Sequence, residues 1–156
     1  MNKIKLLSAC VFASFFLFSC SSNNQQAANH NTQAPVSTTP TNDDTKGYGK
    51  FTTIELTHPL DKAMIEKGKS IYDVKCNACH KLTDEKLVGP GWKGVTDRRK
   101  PEWIMNFVTN TDEMLDKDAN AKALMEVCMV RMPNQHLGDD EARAMLEFMR
   151  NNDGKN

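Results

Sequence analysis

The chain has 156 residues, and its 20 Lys and Arg balance 20 Asp and Glu, so its formal net charge is zero at pH 7. This length suits one domain with a modest hydrophobic core. The balanced charge gives no sign of a nucleic-acid partner or of a strongly polarised surface, so partner recognition must depend on local patches.

The first 19 residues have the pattern of a bacterial export signal. Lys3 and Lys5 precede an apolar run over residues 6–18, which is shorter than the roughly 20 residues that a membrane-spanning helix needs. The run ends in Leu-Phe-Ser-Cys, which resembles the lipobox of bacterial lipoproteins, so we expect cleavage before Cys20 and lipidation of that residue. Cys10 also fits a lipobox locally, but too few apolar residues precede it. The alternative is an uncleaved N-terminal membrane helix, and both interpretations place the domain outside the cytoplasm.

A polar tract follows the lipobox. Residues 21–50 are dominated by Ser, Asn, Gln, Ala, Thr and Pro, and such a composition cannot bury enough apolar surface to offset chain entropy. The sequence therefore predicts that residues 20–57 comprise the lipidated cysteine and a disordered linker, and that residues 58–156 form the folded domain. His30 is interpreted as a solvated linker residue. The expected location is extracytoplasmic, anchored by lipid to the periplasmic face of a bacterial membrane or to the cell surface.

Apolar residues recur with a helical period in the second half of the chain. The spacing predicts helices near residues 61–75, 101–110, 117–129 and 138–151, and no alternating pattern is long enough to indicate a substantial strand. The predicted fold class is therefore all-α. The last helix has an apolar face that is expected to lie in the core, formed by Ala142, Met145, Leu146, Phe148 and Met149.

Residues 76–80 read CNACH and follow the first predicted helix. A C-x-x-C-H string is typical of the attachment site of a c-type haem. The two-residue spacing lets the thiols of Cys76 and Cys79 each reach one vinyl group, and the imidazole of His80 can bind the iron. The export signal favours this interpretation, because covalent haem attachment in bacteria takes place outside the cytoplasm.

A redox disulfide or half of a zinc site would also use a C-x-x-C pair. The surrounding sequence lacks the strand and helix pattern, with β-branched runs, that surrounds a thioredoxin-like motif. Zinc would need a second ligand pair, but Cys128 is alone, and His58 and His136 do not form a zinc knuckle with it.

Residues 60–152 resemble the class I monohaem cytochrome c family. Residues 65–72, IEKGKSIY, are similar to the family's N-terminal helix, which implies that Gly68 permits close helix contact and that Tyr72 packs against the C-terminal helix. Residues 88–95, VGPGWKGV, are similar to its G-P-x-L-x-G segment, with Trp92 in place of the usual Leu. The resemblance implies a small helical domain wrapped around one covalent haem, in which the carbonyl of Pro90 accepts a bond from the proximal imidazole.

Residues 130–134, VRMPN, resemble the family's M-P ligand loop and imply that Met132 is the distal iron ligand. A thioether is a soft donor that favours ferrous iron, and Pro133 restricts the loop backbone. Met129 and His136 are the alternatives, and His136 would give a bis-His haem with a lower potential. The chain has nine Met in all, and most of the others, Met125 among them, are interpreted as core side chains.

Two further interpretations concern the haem edge and the remaining thiol. In the family, an Arg or Trp near this region often bonds a haem propionate, which implies that role for Trp103 with Arg98 or Arg99. A core Trp and solvated charges would explain the same residues. Cys128 is interpreted as a buried, inert thiol, with thiolate ligation and a disulfide to another chain as the alternatives.

The resemblance implies a monomeric single-electron carrier, not an enzyme, that passes electrons between respiratory-chain proteins in transient encounters. Saturated His/Met ligation suits this work, and the sequence shows no acid or base group placed for catalysis. One alternative is a haem sensor or small-molecule enzyme from whose iron Met132 detaches, and another is a subunit of a larger respiratory complex. The sequence does not identify the electron donor or acceptor.

Overall fold

The computed structural model describes residues 45–156, so the predicted signal segment, Cys10, Cys20 and His30 lie outside the described residues. In this range the chain forms six α-helices and no strand, which confirms the all-α prediction. The helices are α1 (Lys62–Lys75), α2 (Val95–Arg98), α3 (Pro101–Thr109), α4 (Thr111–Lys117), α5 (Ala119–Cys128) and α6 (Asp139–Asn152). None of these helices is long and apolar enough to cross a membrane.

Four of the helices match the predicted ones, whereas α2 and α4 were not predicted. Helix α4 is short and mostly polar, so its sequence shows no clear apolar period over seven residues. The predicted start of the following helix is two residues too early, because Asp118 is the N-cap of α5. Its carboxylate accepts a hydrogen bond from the backbone N–H of Ala121 at 2.8 Å.

The crossing of α1 and α6 forms the centre of the core. Gly68 lies against the backbone of Ala144 and leaves no room for a side chain, since a Cβ built there would overlap the Ala144 carbonyl oxygen and lie 2.6 Å from Cβ of Phe148. The ring centroids of Tyr72 on α1 and Phe148 on α6 are 5.6 Å apart. The predicted contacts of Gly68 and Tyr72 with the last helix are therefore confirmed. The predicted apolar face of α6 is also buried throughout.

The segment before α1 differs from the prediction. Residues 46–57, which we call the strap, were assigned to the linker but lie against the helices. Asn106 on α3 is 1% exposed, and its amide N–H donates to the carbonyls of Lys46 and Phe51 at 3.0 and 2.9 Å while its oxygen accepts from Phe51 N at 3.0 Å. Tyr48, Phe51 and Ile54 of the strap also pack against the core, so the packing of the domain includes residues that precede the expected boundary at residue 57.

A buried ionic cluster joins the end of the strap to α6. Glu147 is fully buried, and its carboxylate accepts hydrogen bonds from the Thr57 hydroxyl at 2.7 Å, the Asp61 N–H at 3.0 Å, Arg150 at 2.9 Å and Arg143. Burial alone would raise the pKa of Glu147, but the hydrogen bonds from Thr57, Arg143 and Asp61 lower it to about 2. The carboxylate is therefore charged at neutral pH and holds the strap against α6.

This cluster predicts loss of stability in acid. The folded pKa of Glu147, about 2, is below its ordinary value of 4.5, so its contribution is fully present above about pH 4.5 and is lost as the pH falls towards 2. That contribution is about 3 kcal/mol. In urea denaturation followed by circular dichroism, Glu147→Gln should be less stable than the native chain at pH 7 and should lose less stability between pH 5 and 3.

The exposed Glu126→Gln variant is the control for that measurement and should keep the acid dependence of the native chain. If Glu147→Gln kept the full slope between pH 5 and 3, the cluster would not be its source.

Candidate functional site

The end of α1 places two thiols and an imidazole within five residues. Cys76 is the C-cap of α1 and donates its N–H to Tyr72 O at 3.0 Å, and the next turn is closed by bonds from Cys79 N and His80 N to Cys76 O at 3.0 and 2.9 Å. Cys76 and His80 are buried and Cys79 is half-buried. Both thiols are free, and burial raises the pKa of Cys76 to about 11, so its thiol is protonated near neutral pH.

The ring of His80 is held in one orientation. Its Nδ1 lies 2.9 Å from the carbonyl oxygen of Pro90, the contact that the family resemblance implies. For Nδ1 to donate to that carbonyl it must carry the proton, which leaves Nε2 as a lone-pair donor. Burial lowers the pKa of His80, outweighing the opposite effect of the Pro90 bond, so the ring is neutral at pH 7. The imidazole is therefore prepared to bind a metal through Nε2.

The loop after His80 supplies this support. It folds back on the C-x-x-C-H segment through bonds from Gly89 N to Cys79 O at 2.8 Å and from Trp92 N to Lys81 O at 2.9 Å. A Cβ on Gly89 would lie 2.7 Å from His80 Nδ1. Only glycine lets the backbone lie this close to the imidazole, so this contact limits the space in which the ring can tilt.

Two adjoining cavities border His80 and share part of their lining. The shared residues are His80, Pro90, Phe107, Leu124 and Met132. The first cavity also borders Cys79, Val88, Leu115, Met125, Cys128, Val130 and Pro133. The second also borders Trp92, Val95, Arg98, Arg99, Trp103, Ile104, Val108 and Met149. The walls are mainly apolar. Two groups that can bind a metal border both cavities, the imidazole of His80 and the thioether of Met132.

Among the three predicted candidates for the distal ligand, Met132 is the one that borders the cavities. It is half-buried and lines both of them. Met129 is 86% exposed, with a left-handed backbone at φ 57° just after α5, and His136 is exposed with φ 52°. Neither of these two side chains belongs to the lining of the cavities. The geometry therefore favours the M-P interpretation over both alternatives.

The predicted haem edge is only partly as expected. Trp103 is buried and lines the second cavity, but its single N–H donates to the carboxylate of Asp118 at 3.2 Å. That donor therefore has a partner other than the predicted propionate, and Trp103 contributes its ring to the cavity wall. Arg98 and Arg99 also line the second cavity, and the Arg99 guanidinium lies 4.7 Å from the Trp103 ring centroid.

Cys128 is less buried than predicted. It is half-buried at the end of α5 and lines the first cavity together with Cys79.

The sequence analysis did not predict three apolar residues of the cavity walls, Phe107, Leu115 and Leu124. The helical spacing of apolar residues in α3 and α5 could have indicated Phe107 and Leu124. Leu115 belongs to α4, which was not predicted.

The donor set fits a covalently bound haem. Cys76 and Cys79 are free thiols two residues apart, and His80 has its Nδ1 occupied and its Nε2 available. Met132 supplies a thioether to the same apolar cavities, and the guanidinium groups of Arg98 and Arg99, which line the second cavity, could pair with carboxylates.

Comparison with known proteins gives one family. A family model described as cytochrome c matches residues 65–153. Among solved structures, a cytochrome c from Rhodothermus marinus is 32% identical, covering 68% of this chain and 90% of that chain with a TM-score of 0.65. Engineered cytochrome c from the same organism, Rma TDE, is 31% identical, covering 69% of this chain and 92% of that chain with a TM-score of 0.65. No curated protein matches the chain.

Proposed function

The chain belongs to the cytochrome c family and is a haem-based electron carrier with one covalent haem c. From that premise we propose that Cys76 and Cys79 would hold the haem through thioether bonds, and that His80 and Met132 would bind its iron. The observation that supports this most directly is that His80 and Met132 line the same two cavities, while Met129 and His136 do not. As members of this family are electron-transfer proteins, the chain is not an enzyme.

The protein's own groups keep the coordination constant. When bound, the haem supplies a one-electron couple between ferric and ferrous iron. Pro90 and Gly89 fix the direction of the His80 Nε2 lone pair, and Pro133 restricts the backbone beside the Met132 sulfur. Phe107, Leu115 and Leu124 are the apolar walls that exclude water. Because these groups need not move between the two oxidation states, the reorganisation that slows electron transfer is kept small.

The second cavity has its own role in this assignment. Arg98 donates to the carbonyls of Lys93 and Gly91 at 2.6 and 3.5 Å, which holds its guanidinium at the cavity edge. Arg98 and Arg99 would supply positive charge to the propionates of a bound haem. Trp103 supports this edge through its ring rather than through its N–H.

The N-terminal segment and the family support a location outside the cytoplasm and redox proteins as partners. Residues 1–19 are the signal peptide, Cys20 carries the lipid anchor, and the mature protein is tethered outside the cytoplasm. Its cytochrome domain extends from the strap to the C-terminal helix, so it starts before residue 58. The protein works as a monomer and meets its redox partners in the respiratory chain in brief encounters.

The distal ligand is tested with Met132→Ala. The purified holoprotein should show a sulfur–iron charge-transfer band in the far red when oxidised, and the variant should lose this band and bind carbon monoxide promptly when reduced. The native protein should resist carbon monoxide at neutral pH. A redox titration should give a lower reduction potential for the variant.

Met129→Ala and His136→Ala are the matched controls and should keep the far-red band. If Met132→Ala kept the far-red band and one of the two controls lost it, the residue replaced in that control would be the iron ligand instead of Met132. Prompt binding of carbon monoxide by the native protein would favour a sensor or small-molecule enzyme instead of an electron carrier.

A further inference from the structure

Arg131, the residue before Met132, connects the ligand loop to α4. Its NH1 group lies 3.0 Å from an Asp116 carboxylate oxygen, and its NH2 group lies 3.2 Å from both a carboxylate oxygen and the carbonyl oxygen of Asp112. Positions 112 and 116 are four residues apart, so their side chains share one face of α4. A guanidinium is a planar fork and can donate to both carboxylates at once, which a lysine cannot do in the same way.

Helix α4, which accepts this contact, is itself held in place by buried contacts. Met114 is fully buried and accepts a bond from the strap at Tyr48 N, 2.9 Å away, and the Thr111 hydroxyl donates to Phe107 O at 2.8 Å. Leu115, between the two aspartates, lines the first cavity. The helix to which Arg131 forms its salt bridges therefore also contributes to the wall of the first cavity.

The rest of the ligand loop is held mainly by short-range bonds. Gln135 donates to Pro133 O at 3.0 Å, and His136 N donates to Asn134 at 2.8 Å. Beyond Met132, Lys75 of α1 donates to Gln135 O at 3.2 Å. Before Met132, the contact of Arg131 with α4 connects the loop to another helix. The loop is therefore fixed to the helices on both sides of Met132.

We propose that Arg131 is a positioning residue that holds the Met132 loop against α4 and thereby limits displacement of the Met132 sulfur by external ligands. This inference rests on the proposed function, because it takes Met132 as the distal ligand. The Arg131 side chain is 42% exposed and its two carboxylate partners are 65% and 64% exposed. Salt therefore screens the contact, and its effect is several-fold rather than all-or-none.

The test measures imidazole binding to the ferric holoprotein through loss of the far-red sulfur band. Arg131→Gln should raise the apparent imidazole affinity about three- to tenfold at low salt. Raising the salt concentration should bring the native protein towards the variant and leave the variant nearly unchanged. The double variant Asp112→Asn, Asp116→Asn should reproduce this effect and should add little to Arg131→Gln, since all three residues form one contact.

Lys117→Gln is the matched control, because it removes another exposed ion pair of α4, the one with Glu113, without touching the loop. It should leave imidazole affinity unchanged. Thermal unfolding of Arg131→Gln should stay close to that of Lys117→Gln, which separates positioning of the sulfur from a general loss of stability.

Equal imidazole affinity of Arg131→Gln and the native protein, with the sulfur band present, would overturn the role of Arg131 alone. An equal rise in Lys117→Gln would overturn it too, since the effect would then belong to α4. Absence of the sulfur band from the native holoprotein would overturn the Met132 assignment and this inference together.

Discussion

Replacement of both Cys76 and Cys79 by Ser is expected to give a protein without covalent haem. Each thioether needs a thiol, and a serine hydroxyl does not form that bond with a vinyl group. After expression with cytochrome assembly machinery and extraction with acidic acetone, the native chain should keep the mass of one haem and the double variant should lack it completely. Each single variant should retain a haem through the remaining thiol at reduced yield.

Cys128→Ser is the matched control, because Cys128 is also a free thiol and lines the first cavity beside Cys79. It should retain the full covalent haem mass. If Cys128→Ser lost the haem, or the double variant kept it, the attachment site would have been misassigned.

Replacement of Gly68 by Val is expected to be the most destabilising change in the helical core. The new side chain would overlap the Ala144 carbonyl oxygen, and a backbone atom cannot move aside as a flexible side chain can. Helices α1 and α6 would have to separate, at a cost of about 3 kcal/mol or more. Gly68→Ala should also destabilise, because the gain of about 1 kcal/mol in helix propensity is smaller than the cost of this overlap.

Urea denaturation followed by circular dichroism measures the effect, with Ser70→Val as the control. Ser70 is exposed on the same helix, so valine there should change the free energy of unfolding by about 0.5 kcal/mol or less. Similar losses in the two variants would mean that valine is poorly tolerated in α1 for local reasons and that the helix crossing is not the cause.

The buried face of α6 could be predicted from the sequence, because its apolar residues recur with a helical period, and the structure confirms it. The spacing of residues 76–80 indicates a haem site, and the resemblance of the M-P pair to the family's ligand loop indicates Met132 as an iron ligand. Both site assignments stay predictions. The close contact at Gly68 was predicted from the resemblance of residues 65–72 to the N-terminal helix of the cytochrome c family.

Features that depend on distant partners were missed. The strap has a largely polar composition, and its packing depends on hydrogen bonds to Asn106. That residue lies 55 positions after its partner Phe51 in the chain. The carboxylate of Asp118 accepts a hydrogen bond from the N–H of Trp103, and no local sequence pattern connects those two residues. In each case a single buried hydrogen-bonding group outweighs the average character of the segment.

The two tryptophans of this chain, Trp92 and Trp103, both line the second cavity. Indole fluorescence is quenched by energy transfer to a nearby porphyrin, so these rings report directly on whether the cavity is filled. The polypeptide should emit brightly before maturation and become nearly dark once loaded, and no dye has to be introduced to follow the process.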